Sequence, residues 1–412
     1  MTGCYAWKVG QQPGANIFAN LTGNCATVME LLKENGYQTC MVGRMDMVTV
    51  AWNDPAQIPG AANRYLGAIS GGPGNYYREA SGTPWYKDGA RYVREEGDYS
   101  TDLTTAFVSD FIEGTAGSEQ PFFVYYSHFA PHWPLQADEE DIAPVRPLYE
   151  SAVRANLMQA RLDGLIASGI VPAGTDLLPS ALNATDTGTV PLSERLAINA
   201  AMVTSIDQSV AAIMTALENA GKLENTLILV LSDNGASKQM SFNQPVPDGV
   251  RPGGMDTFIN HGASVASVNN TPFREYKISE YEGGIATPLV AWWPHGIKDA
   301  GRLSHRPGHI IDIMPTCLEL AGVSYPRQFR GRTLIPLDGQ SMLPVLRNSV
   351  PPDEAPRVIT WPTAIRQGNW KLMVKTGELF DLATDRNEST DIAAAHPEKV
   401  AELRKLHAEE YP

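Results

Sequence analysis

Apolar residues along this chain gather into short continuous runs, separated by stretches with helical spacing. Pro121–His128 reads PFFVYYSH, Asn225–Gly235 reads NTLILVLSDNG and Ala286–Pro294 reads ATPLVAWWP. Runs of this length without polar alternation predict strands buried on both faces. From about Ser193 to Gly221, the residues Leu196, Ala200, Val203, Val210 and Met214 recur at roughly helical intervals. That spacing predicts a long helix stopped by the glycine. Helices alternating with apolar strands predict an α/β fold around a parallel or mixed sheet.

The flanking segments refine this pattern. Thr27 with Glu30 three residues on forms a capping box for a short helix ending near Gly36, because each side chain satisfies the other's backbone N–H. YQTCMVG then predicts a strand leading to Arg44, Met45 and Asp46. STDLTTAFVSDFIEG predicts a helix from Ser100 or Thr101, and HIIDIMPTCLELAG another ending at Gly322. His309 and Asp312 at its start suit helix-entry capping better than a metal pair. Residues 51–98, rich in Gly, Pro, Asn and aromatics, predict a long irregular surface segment of the kind that lines sites. Val323 to Pro356 reads as a connection. RVITW, TAIRQGNWKLMV and GELFDL predict a small antiparallel sheet, closed by a helix over HPEKVAELRKLHAEEY. The expected organisation is a main α/β domain over residues 1–350 and a small C-terminal α+β subdomain over 351–412.

Candidate chemistry follows from the strand ends, since open α/β sheets bind ligands beyond the carboxyl ends of their strands. Arg44 and Asp46 follow YQTCMVG, His128 and His132 follow PFFVYYS, and Asp233, Asn234 and Gly235 follow TLILVLS. Asp233 and Asn234 offer hard oxygen ligands for Ca²⁺ or Mg²⁺, although Asn-Gly is also an ordinary turn signal. His128 and His132 are four apart, but Pro131 and Pro134 rule out the helix that would make them a zinc pair. His128 suits a hydrogen-bonded core histidine. His132, in a loop stiffened by two prolines, suits proton transfer. Lys277, near Glu282-Gly283-Gly284, is either an anion clamp or a surface lysine.

Composition narrows the function class. The 412 residues are 43% hydrophobic and 19% charged, with a net charge of −14, enough for a sizeable core and too acidic for a nucleic-acid footprint. Cys4, Cys25, Cys40 and Cys317 make neither a disulfide framework nor a CxxC zinc site. No apolar run reaches the roughly 20 residues of a membrane span. The opening MTGCYAWKVGQQPG lacks the charged start and apolar run of a signal peptide.

Six segments, in order, carry a family resemblance. They are AlaProHisTrpPro at 130–134, SerAspAsnGlyAla at 232–236, AsnThrProPheArgGluTyrLys at 270–277, GluGlyGlyIleAlaThrProLeuVal at 282–290, AspIleMetProThrCysLeuGluLeuAlaGly at 312–322 and IleArgGlnGlyAsnTrpLysLeu at 365–372. Collinear over most of the chain, they resemble the sulfatase family of the alkaline-phosphatase superfamily, in its arylsulfatase branch. The resemblance implies an alkaline-phosphatase-like fold with a mixed, mostly parallel sheet between helices. It implies hydrolysis of a small sulfate monoester, aryl or sugar, assisted by one Ca²⁺ ion. Asp233 and Asn234 would be calcium ligands. His132 and Lys277 would contact the sulfate and its leaving oxygen, and Arg44 would supply a cation. The family's usual compartment is periplasmic or secreted.

Departures from the family pattern accompany the match. The family nucleophile is a formylglycine made within Cys/Ser-x-Pro/Ala-x-Arg, which is not encoded in this sequence; Thr2-Gly3-Cys4-Tyr5 matches the end of the helix that follows it. The family's first strand, carrying paired Asp ligands, is also absent, so the calcium site is expected to be incomplete. Its GlyLysTrpHisLeuGly becomes Gly43-Arg44-Met45-Asp46-Met47-Val48. Arg44 keeps the cation without lysine geometry, while Asp46 would repel a sulfate. Cys4-Tyr-Ala-Trp-Lys8 and Cys40-Met-Val-Gly-Arg44 look like the nucleophile motif but suit ordinary cysteines. Two alternatives therefore stand beside a sulfuric ester hydrolase: a catalytically inactive sulfatase-like binding protein, and a phosphodiesterase or phosphonate hydrolase of the same superfamily. With a central strand missing, open apolar sheet edges and poor solubility are expected.

Overall fold

The computed structural model describes residues 1–10, 24–44, 62–68, 74–79, 83–150, 153–186, 188–239, 244–351 and 354–411. Helix α1 (Val28–Glu34) begins with the expected capping box: the Thr27 hydroxyl accepts from the Glu30 N–H at 3.2 Å, and the Glu30 carboxylate accepts from the Thr27 N–H at 2.9 Å. Gly36, with φ +86°, turns the chain into β1 (Gln38–Arg44). Strand β1 pairs in parallel with β2 (Arg64–Ala68) on one side and with β5 (Phe122–Ser127) on the other. Antiparallel β3 (Trp85–Lys87) and β4 (Ala90–Tyr92) extend the sheet beyond β2 in the order β4-β3-β2-β1-β5. The described part of segment 51–98 thus contains three strands and is not irregular throughout; Trp85, fully buried against Phe129 and the Arg94 guanidinium, is what draws it onto the sheet.

Helices α2 (Ser100–Glu113), α3 (Glu139–Val145) and α4 (Leu192–Asn219) cover one face of this sheet. Phe122, Val124 and Tyr126 of β5 point into that core with Phe107, Phe111, Ala197 and Ala201, while Phe123 and Tyr125 point to Met29, Met41 and Tyr65 on the opposite face. Helix α4 is long and apolar enough, by length and composition, to cross a membrane, a property the apolar-run count overlooked. In this fold it is a core helix: its inner face carries buried Arg195, Asn199, Ser205 and Ser209, and Ser209 accepts a hydrogen bond from Thr105 of α2 at 2.8 Å.

The strands expected to be buried on both faces are less covered than their sequences suggest. All six residues of β5 are half-buried, and among the described residues no strand pairs with its outer edge. Strand β6 (Ile228–Leu231) pairs antiparallel with β7 (Leu289–Trp292) in a separate two-stranded sheet. There Leu289 is 39% and Val290 63% exposed. Uninterrupted apolar runs mark strands that want cover on both faces, and among the described residues β6 and β7 each pair along one edge only.

The C-terminal part is the small antiparallel sheet expected, formed by β8 (Val358–Trp361), β9 (Ala364–Gln367), β10 (Trp370–Met373) and β11 (Leu379–Asp381) in that order. Helix α8 (Pro397–Glu410) packs Leu403 against Ile365, Leu372 and Leu379. Two buried ion clusters tie this sheet to the main body. Lys371 meets Glu282 at 2.9 Å and Glu388 at 2.7 Å, with Arg386 also on Glu282. Arg357 forks onto Asp312. Asp312 and His309 cap the entry to α7 (Ile313–Ala321), as expected: the His309 N–H donates to the Asp312 carboxylate at 2.7 Å.

Candidate active site

The site is assembled where strand ends and two loops meet. Gly43 (φ +93°) lies opposite Ser127 in the parallel register, and a Cβ there would come within 1.9 Å of the Ser127 carbonyl oxygen. Glycine lets β1 approach β5 this closely, so Arg44 and His128 leave the sheet side by side. The His128 ring lies against Tyr126 at 3.8 Å, but its buried Nδ1 has no hydrogen-bond partner among the described residues. It is a packed core histidine without the hydrogen bond expected of it. Asp46 and residues 45–61 lie outside the described residues.

His132 sits in the loop after β5. Its backbone N–H donates to Phe129 O at 3.0 Å, and its carbonyl accepts from Tyr76 Oη at 2.8 Å. The next residues are fixed in turn, since Leu135 N–H donates to Ile259 O at 2.8 Å. The His132 Nδ1 lies 2.8 Å from the Trp133 carbonyl oxygen. A carbonyl only accepts, so Nδ1 carries the proton and Nε2 presents its lone pair.

Asp233 and Asn234 leave β6 as an exposed and a half-buried residue. Their backbone is pinned by short contacts: Gly235 N–H donates to Gly284 O at 3.0 Å, and Ala236 N–H donates to Asn270 Oδ1 at 2.9 Å. A Cβ on Gly235 would lie 1.8 Å from Gly283 O. Lys277 belongs to the same knot, its N–H donating to Ala236 O at 3.0 Å. Asn270, the last residue of α5 (Gly262–Asn270), holds the knot from inside. Its Nδ2 donates to Glu275 O at 2.9 Å and to Gly283 O, beside Glu282 at the start of α6 (Glu282–Ile285), at 2.7 Å.

The electrostatics bring four of the expected residues together. Burial pushes the His132 imidazole down to about 4; the Trp133 carbonyl opposes this, the cations Arg44 and Lys277 add to it, and Asp233 opposes it. His132 therefore feels Arg44, Lys277 and Asp233 at once. At neutral pH it is uncharged, and the two cations that act on it suit an anion.

The sequence gives no sign of Asn270 as an organiser, although it opens the AsnThrProPheArgGluTyrLys segment, nor of His261. Buried His261 places Nε2 3.2 Å from Asn199 Nδ2, and burial with the neighbouring His132 charge pushes its pKa down to about 3. A histidine inside an unremarkable INHG segment carries no signal of this.

The fit of a calcium ion rests on Asp233 and Asn234. They are the right kind of donor, but Ca²⁺ takes six to eight oxygens, and among the described residues no cluster of three or more acidic, His or Cys groups forms. Among the described residues, Asp233 and Asn234 supply donors for part of such a shell. The cysteines are equally remote from activation. Cys40 is fully buried in β1 with its thiol pushed up by burial, and burial pushes Cys4 up to about 12. Reactive thiols need the opposite shift.

Comparison with known proteins agrees with this architecture. A sulfatase family model matches residues 1–323, and a model of the N-sulphoglucosamine sulphohydrolase C-terminal region matches residues 276–409. The chain belongs to the sulfatase family, a family of sulfuric ester hydrolases. An uncharacterised sulfatase of Schizosaccharomyces pombe is 29% identical over 96% of this chain and 77% of its own length. The arylsulfatase of Klebsiella aerogenes is 27% identical over 78% of this chain and 73% of its length. N-acetylgalactosamine-6-sulfatase of Mus musculus is 28% identical over 76% of this chain and 49% of its own length. In fold, the chain resembles Ps i-CgsB, solved with k-i-k-neocarrahexaose (TM-score 0.68, 24% identity, 100% of this chain and 80% of that one). It also resembles the phosphonate monoester hydrolase of Agrobacterium radiobacter (TM-score 0.56, 20% identity, 98% of this chain and 84% of that one). The sulfatases establish the fold as alkaline-phosphatase-like.

Proposed function

We propose that this site takes the sulfate group of a sulfated carbohydrate between Arg44, Lys277 and His132, for hydrolysis of the ester. The observation that carries the reading is the backbone knot that ties Lys277 through Ala236 and Asn270 to the Asp233–Asn234 turn, with Arg44, Lys277 and Asp233 all acting electrostatically on the half-buried His132 imidazole. Two cations answer the charge of a sulfate monoester. The lone pair on His132 Nε2 would exchange a proton at the ester oxygen, and an anion beside it would raise the imidazole back toward the range where it can hold that proton. Asp233 and Asn234 would hold one side of a Ca²⁺ ion, which would neutralise sulfate oxygens when bound. Among the relatives, N-acetylgalactosamine-6-sulfatase is named for a sugar sulfate, and a structural neighbour was solved with D-glucosamine-2-N,6-O-disulfate as its substrate. These names support a sugar as the alcohol part. The family's periplasmic or secreted setting is proposed with it.

A second reading, a sulfate-ester binding protein without turnover, is favoured by one observation: the candidate cysteines Cys4 and Cys40 are buried with raised pKa values. One experiment addresses both. Galactose 6-sulfate is added to the wild type, His132→Ala and Lys277→Ala, with binding followed by calorimetry and sulfate release by ion chromatography. Binding and release, both lost in the variants, support hydrolysis. Binding without release supports the second reading. Failure of the wild type to bind sulfate or its ester ends both.

A further inference from the structure

Beside Lys277 the backbone is strained at an unusual place. Glu275 (φ +65°) and Ile278 (φ +82°) both adopt left-handed conformations. For a β-branched residue this is an outlier, with a conformational cost that persists only where the surroundings over-determine it. Here they do. Tyr276 Oη shares a 2.8 Å hydrogen bond with Ser267 Oγ, Lys277 N–H is tied to Ala236 O, and Ser279 N–H donates to Tyr276 O at 3.0 Å. From below, Gly283 and Gly284 admit the loop so closely that a Cβ would meet Glu275 O at 2.2 Å or Ser279 O at 2.0 Å.

The strain does not serve packing. Ile278 is 93% exposed, so an apolar branched side chain is held in water at a conformational cost, next to the sulfate-directed lysine. It stands at the lip of an open cavity of about 480 Å³ lined otherwise by Ser237, Lys238, Gln239, Glu275, Tyr276, Lys277 and Ser279. Lys238 arches over the Tyr276 ring at 5.2 Å and faces Glu275 at 3.8 Å. Lys238, Gln239, Glu275 and Lys277 offer polar groups along the walls, and Ile278 makes the lip apolar. A flat aryl group would leave those polar groups unmatched. A pyranose ring has hydroxyls around its rim for the walls and a C–H face for the lip.

We propose that Ile278 is a specificity-determining residue, which packs on the apolar face of the sugar ring while Lys277 engages its sulfate. The inference rests on the sulfate-binding reading of Lys277 and adds the subsite for the alcohol part.

The test compares wild type, Ile278→Gly and Ile278→Asn for affinity toward inorganic sulfate, galactose 6-sulfate and 4-nitrophenyl sulfate by calorimetry, with melting temperatures alongside. Both substitutions accept a left-handed backbone, so neither threatens the fold. Loss of a partly buried Ile contact predicts galactose 6-sulfate bound about fivefold more weakly by both variants, with inorganic sulfate unchanged. Release of strain predicts a melting temperature raised by roughly 1–2 °C in Ile278→Gly. Unchanged galactose 6-sulfate affinity in both variants, with sulfate still bound, overturns the role of Ile278 alone. A wild type that binds 4-nitrophenyl sulfate more tightly than galactose 6-sulfate overturns the sugar assignment. A wild type that binds none of the three overturns the sulfate reading and this inference together.

Discussion

The Asn270 side-chain oxygen accepts the backbone N–H of Ala236 at 2.9 Å, three residues beyond Asp233. The same amide's nitrogen reaches Glu275 O and Gly283 O, so one buried side chain joins the Asp233–Asn234 turn to the Lys277 loop and the α6 turn. Asn270→Ala leaves three backbone groups without their partner. At about 1 kcal/mol for each hydrogen bond, a loss of about 2–4 kcal/mol is expected, read as a shift in the urea midpoint. Inorganic sulfate affinity should fall with it, because Lys277 is no longer held against the turn. A variant destabilised as expected but with unaltered sulfate binding would show that the knot does not position Lys277.

Four histidines, His261 buried and the others half-buried, set the acid response. His128, His132 and His309 are pushed down to about 4, and His261 to about 3, in each case first by burial. The ordinary value is 6.5, so the unfolded chain takes up protons that the folded chain refuses. Their contribution is fully present above pH 6.5 and is lost progressively as the pH falls from 6.5 toward 4. The urea midpoint should therefore drop steeply between pH 6.5 and pH 5. A flat profile across that window would show that these imidazoles are charged in the folded state. Sulfate added at pH 5.5 should oppose the drop, since an anion beside His132 favours its protonated form.

What could be read from the sequence divides along physical lines. Local chemistry was legible: the Thr27–Glu30 capping box, the glycine stops and the His309–Asp312 helix entry all involve partners two or three residues apart. The strand ends carrying Arg44, His132 and Asp233 were legible because apolar runs mark buried strands and their ends mark ligand positions. Long-range matters were not. That β6 pairs with β7 instead of joining the main sheet depends on which edges meet, and a run such as ILVL is silent on its partner. The role of Asn270 arises from three backbone groups between 34 residues upstream and 13 downstream of it. The strain at Ile278 is a dihedral angle imposed by tertiary contacts, with no sequence signature.

The Glu282–Lys371–Glu388 cluster makes a separate prediction. All three side chains are buried. Lys371 draws the Glu282 carboxyl below its usual range against the cost of burial, aided by Arg386 and Arg366, whereas burial raises Glu388. Lys371→Met removes the cation that both carboxylates share. Breaking a buried pair in this way costs about 3–5 kcal/mol. Glu388→Gln should cost less, because its charged form is already disfavoured while Glu282 keeps Lys371 and both arginines. Thermal unfolding of the two variants checks the order. Equal losses would mean that Glu388 carries a full charge in the fold.

The open edges of β5 and β7 bear on association. Val290 is 63% exposed on a strand of four apolar residues, and β5 offers one unpaired edge among the described residues. Exposed apolar edge strands template pairing with other chains, and an inward or edge lysine is the usual remedy. Concentration-dependent self-association is expected by light scattering. Val290→Lys should lower it, since Val290 is too exposed for its loss to open a cavity, and its melting temperature should stay within about 1–2 °C of wild type. If Val290→Lys associates as strongly as wild type, the β7 edge is not the contact. A wild-type chain that stays monodisperse across the concentration range would show that neither edge is available for pairing.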